Sequence, residues 1–171
     1  MNETKHKKRK THYEATHGSV APCANRERNH MNDNTRAELS KARIETAKED
    51  LATAYENMDA GRYRAANNRA YYAILHAIRS VLALDSVDHK DHDSAISYFY
   101  DCFLSSNVLD SYLKVVVDYA KDSRNRSDHE DYYAATREEA MRNIGGAADM
   151  IKTAERFITS RQDADQIQAA E

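Results

Sequence analysis

The sequence predicts an all-α protein, an antiparallel bundle of four to five helices that follows a disordered, basic N-terminal tail. Only four glycines and one proline occur in 171 residues, and a chain this poor in turn residues favours helices over sheets. After residue 30, apolar residues recur at intervals of three and four, which is the spacing of one face of an α-helix. The length suits a single domain.

Residues 1–30 lack this spacing and are predicted to be the disordered tail. They contain seven Lys or Arg and three Glu, a net charge of +4, whereas the rest of the chain contains 18 basic and 25 acidic residues, a net charge of −7. An acidic body is a poor general binder of nucleic acid because it repels the phosphate backbone. Any contact with RNA would therefore need a local basic patch or help from the tail.

Two long helices are predicted to open the helical domain, which spans residues 31–160. Thr35 and Glu38 have the spacing of a capping box at the start of the first helix, and Gly61 suits the left-handed residue that follows a helix. The apolar stripe between them consists of Ile44, Ala47, Leu51, Ala54, Tyr55 and Met58. The second helix is predicted over about Tyr63–Leu84, and its centre is apolar nearly all round, so we expect it to be the most buried helix.

Three further helices are predicted after a polar loop. The third is short, and the fourth and fifth are longer; their apolar positions are Ile96, Phe99, Tyr100 and Phe103, then Leu109, Tyr112, Leu113, Val116 and Tyr119, then Ala140, Ile144, Ala147, Ile151, Ala154 and Ile158. The last helix begins at a second capping box, Thr136 to Glu139. Gly145 and Gly146 inside it indicate either a close helix crossing or a kink. Residues 161–171 are polar and are predicted to fray.

Several classes of protein are not favoured by the sequence. No apolar run approaches the roughly 20 residues of a membrane-spanning helix, and we find no secretory signal. The two cysteines, Cys23 and Cys102, lie far apart and are expected to be reduced thiols in a cytoplasmic protein. His89 and His92 lie three residues apart beside aspartates, which is a weak signal for a metal. We therefore expect a solvated loop there, and neither a metal nor a cofactor.

The segment DSRNRSDHEDYY, residues 122–133, carries the residues best suited to chemistry. Histidine can move protons near neutral pH, and the donors of arginine match two phosphate oxygens. Arg124, Asn125 and His129 could therefore form a site that handles phosphate, with Asn125 orienting either the histidine or the phosphate.

Helical geometry sets a condition on this site. Arg124 and His129 are five residues apart, so on a continuous helix their side chains point roughly 140° apart. They can meet at one phosphate only if the helix ends between them, which Ser127 and Asp128 favour, or if two subunits share the site. The alternative is that the arginines stabilise the end of the helix, that His129 is solvated, and that the neighbouring acids occupy the arginines.

Arg69 is a further candidate, because an arginine inside an apolar helix needs a partner. Pairing with an acid is favoured over a role as a phosphate ligand near Arg124. Tyr71 and Tyr72 are expected to be core and dimer-interface residues.

Three stretches of the chain together resemble the HEPN domain family, a prokaryotic family of helical bundles. They are YRAANNRAYYAILHAIRSVLAL, KDHDSAISYF and RNRSDHEDYYAATREEA, and the similarity runs from about Arg36 to Ile158. Its specific elements are Arg69 with the Tyr71-Tyr72-Ala73 run, His92 before the third helix, and the arginine-led motif after the fourth. For His92 we favour a cap or packing role.

The resemblance implies two alternative functions. Many HEPN proteins are metal-independent RNases, often toxins of toxin–antitoxin pairs, and they dimerise so that two motifs of Arg, a polar residue and His share one cleft. By that resemblance Arg124, Asn125 and His129 are catalytic, Arg126 and Arg69 bind RNA, and the chain is a homodimer. Other HEPN proteins lack the motif and bind a nucleotide or a small nucleotidyltransferase partner. The branch of the family that this chain most resembles commonly has Tyr at the position of His129. Both alternatives therefore stay open.

Overall fold

The computed structural model describes residues 32–169, which form α-helices and one π-helical turn without any β-strand. The elements are α1 (Asp33–Asp59), α2 (Tyr63–Leu84), α3 (His92–Phe99), the π-helical turn (Tyr100–Leu104), α4 (Tyr112–His129) and α5 (Arg137–Ala169). The predicted all-α bundle is confirmed. The predicted tail, residues 1–30, lies outside the described residues. Over the described part of the chain, every helix is too short or too polar to cross a bilayer.

The first helix begins earlier than predicted. The side chain of Asn32 accepts a hydrogen bond from the backbone N–H of Thr35 at 2.8 Å, so Asn32 is the N-cap in place of Thr35. Asparagine is the stronger N-cap of the two. The end of α1 is as predicted, since Gly61 has a φ of +71°. Tyr55 is 44% exposed and therefore lies outside the buried stripe in which the spacing placed it.

Helix α2 lies at the centre of the bundle and packs against α1, α3, α4 and α5. Its small side chains Ala66, Ala70, Ala73 and Ala77 are fully buried, which lets neighbouring helices approach closely. One buried polar contact joins α2 to α5: Asn143 Nδ2 donates to Asn67 Oδ1 at 2.8 Å. Because breaking such a pair leaves a buried polar group without a partner, this contact favours one alignment of the two helices.

Helix α5 confirms the second capping box. The backbone N–H of Glu139 donates to Thr136 Oγ1 at 3.2 Å, and the backbone N–H of Thr136 donates to Glu139 Oε2 at 3.0 Å. The helix is one unbroken element, and the two glycines mark a close crossing: a Cβ at Gly146 would lie 2.8 Å from Val116 Cγ1 on α4. α5 continues to Ala169, past the position near Ser160 where the sequence suggested fraying.

Helix α4 continues through the whole Arg124–His129 segment, so the helix end that Ser127 and Asp128 favour does not occur, and the shared site stays as the other condition. Arg64 on α2 supplies the reason. Its Nε donates to the backbone oxygen of Ser127 at 3.0 Å, and its Nη2 donates to the same oxygen. This satisfies a carbonyl that the last turn of a helix would otherwise leave without a donor.

Leu109 precedes α4, although its spacing placed it on the fourth helix. Cys102 is buried, and the reduced state expected of it stays a prediction. The other cysteine, Cys23, lies outside the described residues.

The two glycines of α5 provide a matched pair for testing the crossing. A Cβ at Gly145 meets nothing within 4 Å, so Gly145→Ala should raise the free energy of unfolding by about 0.5–1 kcal/mol through helix propensity. Gly146→Ala gains the same propensity, but its methyl group must displace Val116, whose branched side chain is stiff in a helix. In urea denaturation, we expect the free energy of unfolding of Gly146→Ala to be about 1–3 kcal/mol lower than that of Gly145→Ala.

Adding Val116→Ala to both variants should remove most of the difference between their unfolding free energies, because it takes away the clashing methyl groups. Equal unfolding free energies for the two single variants would contradict the close crossing of α4 and α5.

Candidate functional site

Arg124 and Asn125 line a pocket of about 260 Å³ between α2, the start of α3 and α4. We call it the Arg124 pocket; its lining residues are Tyr71, Asp91, His92, Asp93, Lys121, Arg124 and Asn125. On α4, the polar positions 121, 124, 125 and 128 are spaced as i, i+3, i+4 and i+7, so they share one face of the helix. This periodic polar stripe in the sequence was the signal that could have identified Lys121, which the sequence analysis missed.

The loop before α3 fixes the place of His92. Arg79 Nη2 donates to the backbone oxygens of His89 and Lys90 at 3.2 and 2.7 Å, which holds the loop against α2. The side chain of Asp91 accepts from the backbone N–H of Ser94 at 2.7 Å and caps α3. His92 is therefore the first residue of α3 and lines the Arg124 pocket.

Two tyrosines of α2 orient the His92 ring. Tyr71 Oη lies 3.3 Å from His92 Nδ1, within hydrogen-bond distance. The Tyr72 ring meets the His92 ring edge-on, with centroids 5.8 Å apart. Tyr71 is buried in the core, as the sequence predicted, and its hydroxyl also faces the site.

Arg124 is held in place by contacts on three sides. Its Nε lies 2.8 Å from Asp128 Oδ2, one helical turn away. Its guanidinium lies 5.8 Å from the centre of the Tyr71 ring, and its Nη1 donates to Asn125 Oδ1 at 3.4 Å. Asn68 Nδ2 in turn donates to Asp128 Oδ1 at 2.9 Å, which fixes the carboxylate. The guanidinium is thus preorganised, and a bound phosphate would compete with Asp128 for it.

His129 does not line the Arg124 pocket. It is the last residue of α4 and is exposed. Because α4 is continuous, the five-residue separation directs Arg124 and His129 roughly 140° apart. Of the predicted catalytic residues, a single subunit therefore brings together Arg124 and Asn125, and the histidine beside them is His92. Catalysis by His129 stays a prediction that requires a second subunit.

Arg126 and Arg69 both have structural partners. Arg126 lies 3.0 Å from Asp122 and 3.2 Å from Glu139, and its guanidinium lies 4.7 Å from the centre of the Tyr133 ring. These contacts tie α4 to the start of α5, outside the Arg124 pocket.

Arg69 Nη1 lies 3.1 Å from Asp50 Oδ1, which confirms the acidic partner favoured from the sequence. Its guanidinium also lies 4.9 Å from the centre of the Tyr72 ring.

The surroundings of His92 favour its neutral form. Burial lowers the pKa of His92 from its usual 6.5, and the positive charges of Arg79 and Arg124 lower the pKa further. Burial raises the pKa of Tyr71, so its hydroxyl keeps its proton. His92 Nε2 is a free base only when Nδ1 carries the hydrogen and donates it to Tyr71 Oη. In the other tautomer Tyr71 donates to Nδ1, and Nε2–H is a hydrogen-bond donor.

His89 does not join His92 in a shared site. Its ring packs against Tyr98 with centroids 5.5 Å apart. Across the described residues, no three metal-ligating side chains cluster so as to hold a metal ion.

Comparison with known families decides which of the helical-bundle families this fold represents. The sequence model of the HEPN domain matches residues 40–161, most of the chain. The chain belongs to the HEPN family. The matched range includes α2, α3, α4 and the first three quarters of α5, and so includes the whole Arg124 pocket.

Two curated proteins are distantly similar to this chain. A UPF0332 protein of Pyrococcus horikoshii is 30% identical over 82 residues, which cover 47% of this chain and 58% of that protein. A protein of Methanocaldococcus jannaschii, named as a candidate toxin, is 28% identical over 99 residues, which cover 58% of this chain and 73% of that protein. The chain therefore matches less than two thirds of the first relative's length.

The pKa of His92 can be measured in a histidine NMR titration, with His92→Gln assigning the resonance. We expect a value below 6.5. Arg124→Gln should raise the pKa of His92, because removing a nearby positive charge favours the protonated imidazole.

Arg126→Gln is the matched control, since it removes the same charge from the same helix outside the pocket, and it should leave the pKa of His92 unchanged. Equal shifts in the two arginine variants would contradict the electrostatic effect of Arg124 on His92.

Proposed function

We propose that this HEPN protein is a metal-independent endoribonuclease of a toxin–antitoxin or nucleotidyltransferase-associated system, acting in the cytoplasm as a homodimer. The observation that carries the proposal is the Arg124 pocket, where two cations and an amide surround a histidine whose pKa is lowered. The relative named as a candidate toxin supports the same role.

The pocket contains the groups that cleavage by the neighbouring 2′-hydroxyl requires. Arg124 and Lys121 bind the scissile phosphate and offset the charge that develops on it, and Asn125 orients it. His92 accepts the proton of the 2′-hydroxyl, the 2′-oxygen bonds to phosphorus, and the bond from phosphorus to the 5′-oxygen breaks. The products are a 2′,3′-cyclic phosphate and a 5′-hydroxyl. A lowered pKa suits His92 to the role of base, since its imidazole is neutral at pH 7.

The departing 5′-oxygen needs a proton, and His129 of the partner subunit is our candidate donor. Within one chain His129 points away from Arg124, so a shared site is the arrangement in which both residues of the HEPN motif act on one phosphate. A homodimer would then provide two such sites.

A second candidate function is a catalytically silent HEPN module that binds a nucleotide or a nucleotidyltransferase. One observation favours it: Asp128 lies 2.8 Å from Arg124, and Asp91 and Asp93 line the same pocket. These carboxylates oppose the binding of a polyanion. Under this alternative the purified protein cleaves no RNA.

The two candidates are separated by incubating the purified full-length protein with RNA in EDTA. We expect cleavage by the unmutated protein and losses of about 10²–10⁴-fold for His92→Ala and Arg124→Ala. Arg156→Ala is the matched control, since it removes one arginine from an exposed position of α5, and it should retain full activity. Equal cleavage by all variants, or none by the unmutated protein, would sink the RNase proposal.

Mixing subunits tests whether the site is shared. His129→Ala and Arg124→Ala are each expected to be inactive, and unfolding and refolding them together should restore part of the activity, because mixed dimers contain one intact composite site. Light scattering should give the mass of a dimer. Full activity of His129→Ala would instead assign the chemistry to His92 within one subunit.

A further inference from the structure

A second pocket adjoins the Arg124 pocket and has different chemistry. It has a volume of about 350 Å³ and lies between the end of α1, the start of α2 and the last turn of α4. We call it the Asn68 pocket; its polar lining residues are Asn57, Arg64, Asn68, Arg69, Ser127 and Asp128. No residue lines both pockets, so the two are separate cavities.

An ion pair joins a lining residue of one pocket to a lining residue of the other. Asp128 lines the Asn68 pocket, and its Oδ2 lies 2.8 Å from Nε of Arg124, which lines the other. Asn68 and Tyr71, one from each pocket, are three residues apart on α2, a rise of about 4.5 Å along the helix. A phosphate on Arg124 would therefore place a neighbouring nucleotide at the Asn68 pocket.

The Asp128 carboxylate has unused capacity to accept hydrogen bonds at the Asn68 pocket. Asn68 Oδ1 is buried, so Asn68 acts at this pocket through its amide N–H, which holds Asp128. Each oxygen of Asp128 receives one contact, from Asn68 and from Arg124, and a carboxylate oxygen can accept two. The Arg64 guanidinium is already engaged with the backbone oxygen of Ser127. A ligand that supplies an N–H group to Asp128 would use this capacity.

Arg69 provides a flat surface at the same pocket. Its guanidinium is fixed between Asp50, at 3.1 Å, and the Tyr72 ring, 4.9 Å from the ring centre. The side chain is 40% exposed, so one side of it remains open to a ligand. Bases of single-stranded RNA commonly stack on arginine planes and are read along their hydrogen-bonding edges.

We propose that the Asn68 pocket binds a nucleobase that carries an exocyclic amino group, with Arg69 against its face and Asp128, held by Asn68, accepting from its amine. Cytosine is the base best matched, since carboxylates accept from its N4 amine, whereas uracil has oxygen at that position. The inference rests on the proposed function only in that the scissile phosphate lies on Arg124. Substrate preference then arises beside the reacting phosphate, in a cavity formed mainly by α2.

Uncleavable oligonucleotides test the proposal independently of catalysis. Tetramers of deoxycytidine and of deoxyuridine have no 2′-hydroxyl, so their affinity for the full-length protein can be measured whether or not it cleaves RNA. We expect the cytosine tetramer to bind about tenfold more tightly. Asn68→Ala should remove this preference, and Arg124→Ala should weaken both tetramers by a similar factor.

Ala65→Leu fills the Asn68 pocket without removing a polar contact, because Ala65 lines the pocket and leucine is a good helix former. It should abolish the cytosine preference. Ala52→Leu is the matched control on an exposed position of α1, and both variants should keep the unfolding temperature of the parent.

Equal affinity for the two tetramers, or a cytosine preference that survives Ala65→Leu, would overturn the base subsite. A cytosine preference in a protein that cleaves no RNA would contradict the proposed RNase function and still support the base subsite.

Discussion

The contact between the start of α2 and the end of α4 is the constraint on which the candidate site depends. Arg64 donates to the Ser127 carbonyl, and Asn68 donates to Asp128. The first contact keeps α4 helical to its last residue, and the second fixes the carboxylate that positions Arg124. Both donors belong to the central helix, so the position of Arg124 is tied to the core of the bundle. The arrangement of the candidate catalytic groups follows from helix packing more than from the motif alone.

The helices were predictable because their signals are local. The bounds of α2, the capping box of α5 and the glycine after α1 each rest on neighbouring residues, and composition excluded the competing fold classes. Where prediction failed, a distant residue decided the outcome. The Ser127-Asp128 pair favours a helix end by itself, but Arg64, 63 positions away, supplies the missing donor. In the same way His92 joins Arg124 only through the packing of α3 against α2, which no spacing within α4 reveals.

The carboxylates around the motif have a double effect. Asp128 orients the guanidinium that a phosphate needs, and it neutralises part of the charge that attracts the phosphate. In an acidic body, this arrangement disfavours indiscriminate binding of nucleic acid and favours ligands that make several matched contacts at once. The same residues that argue against a general RNA-binding surface thus agree with a small, selective site.

Because α4 is helical to its last residue, the number of residues between Arg124 and His129 sets the angle between their side chains around the helix axis. Each residue added between arginine and histidine rotates the histidine by about 100° around the axis. At five residues apart the two side chains face different neighbours, and at seven they would lie within about 20° of each other. In a bundle that keeps this helix intact, a change of two residues in a surface segment would decide whether one polypeptide or two are needed to complete the motif.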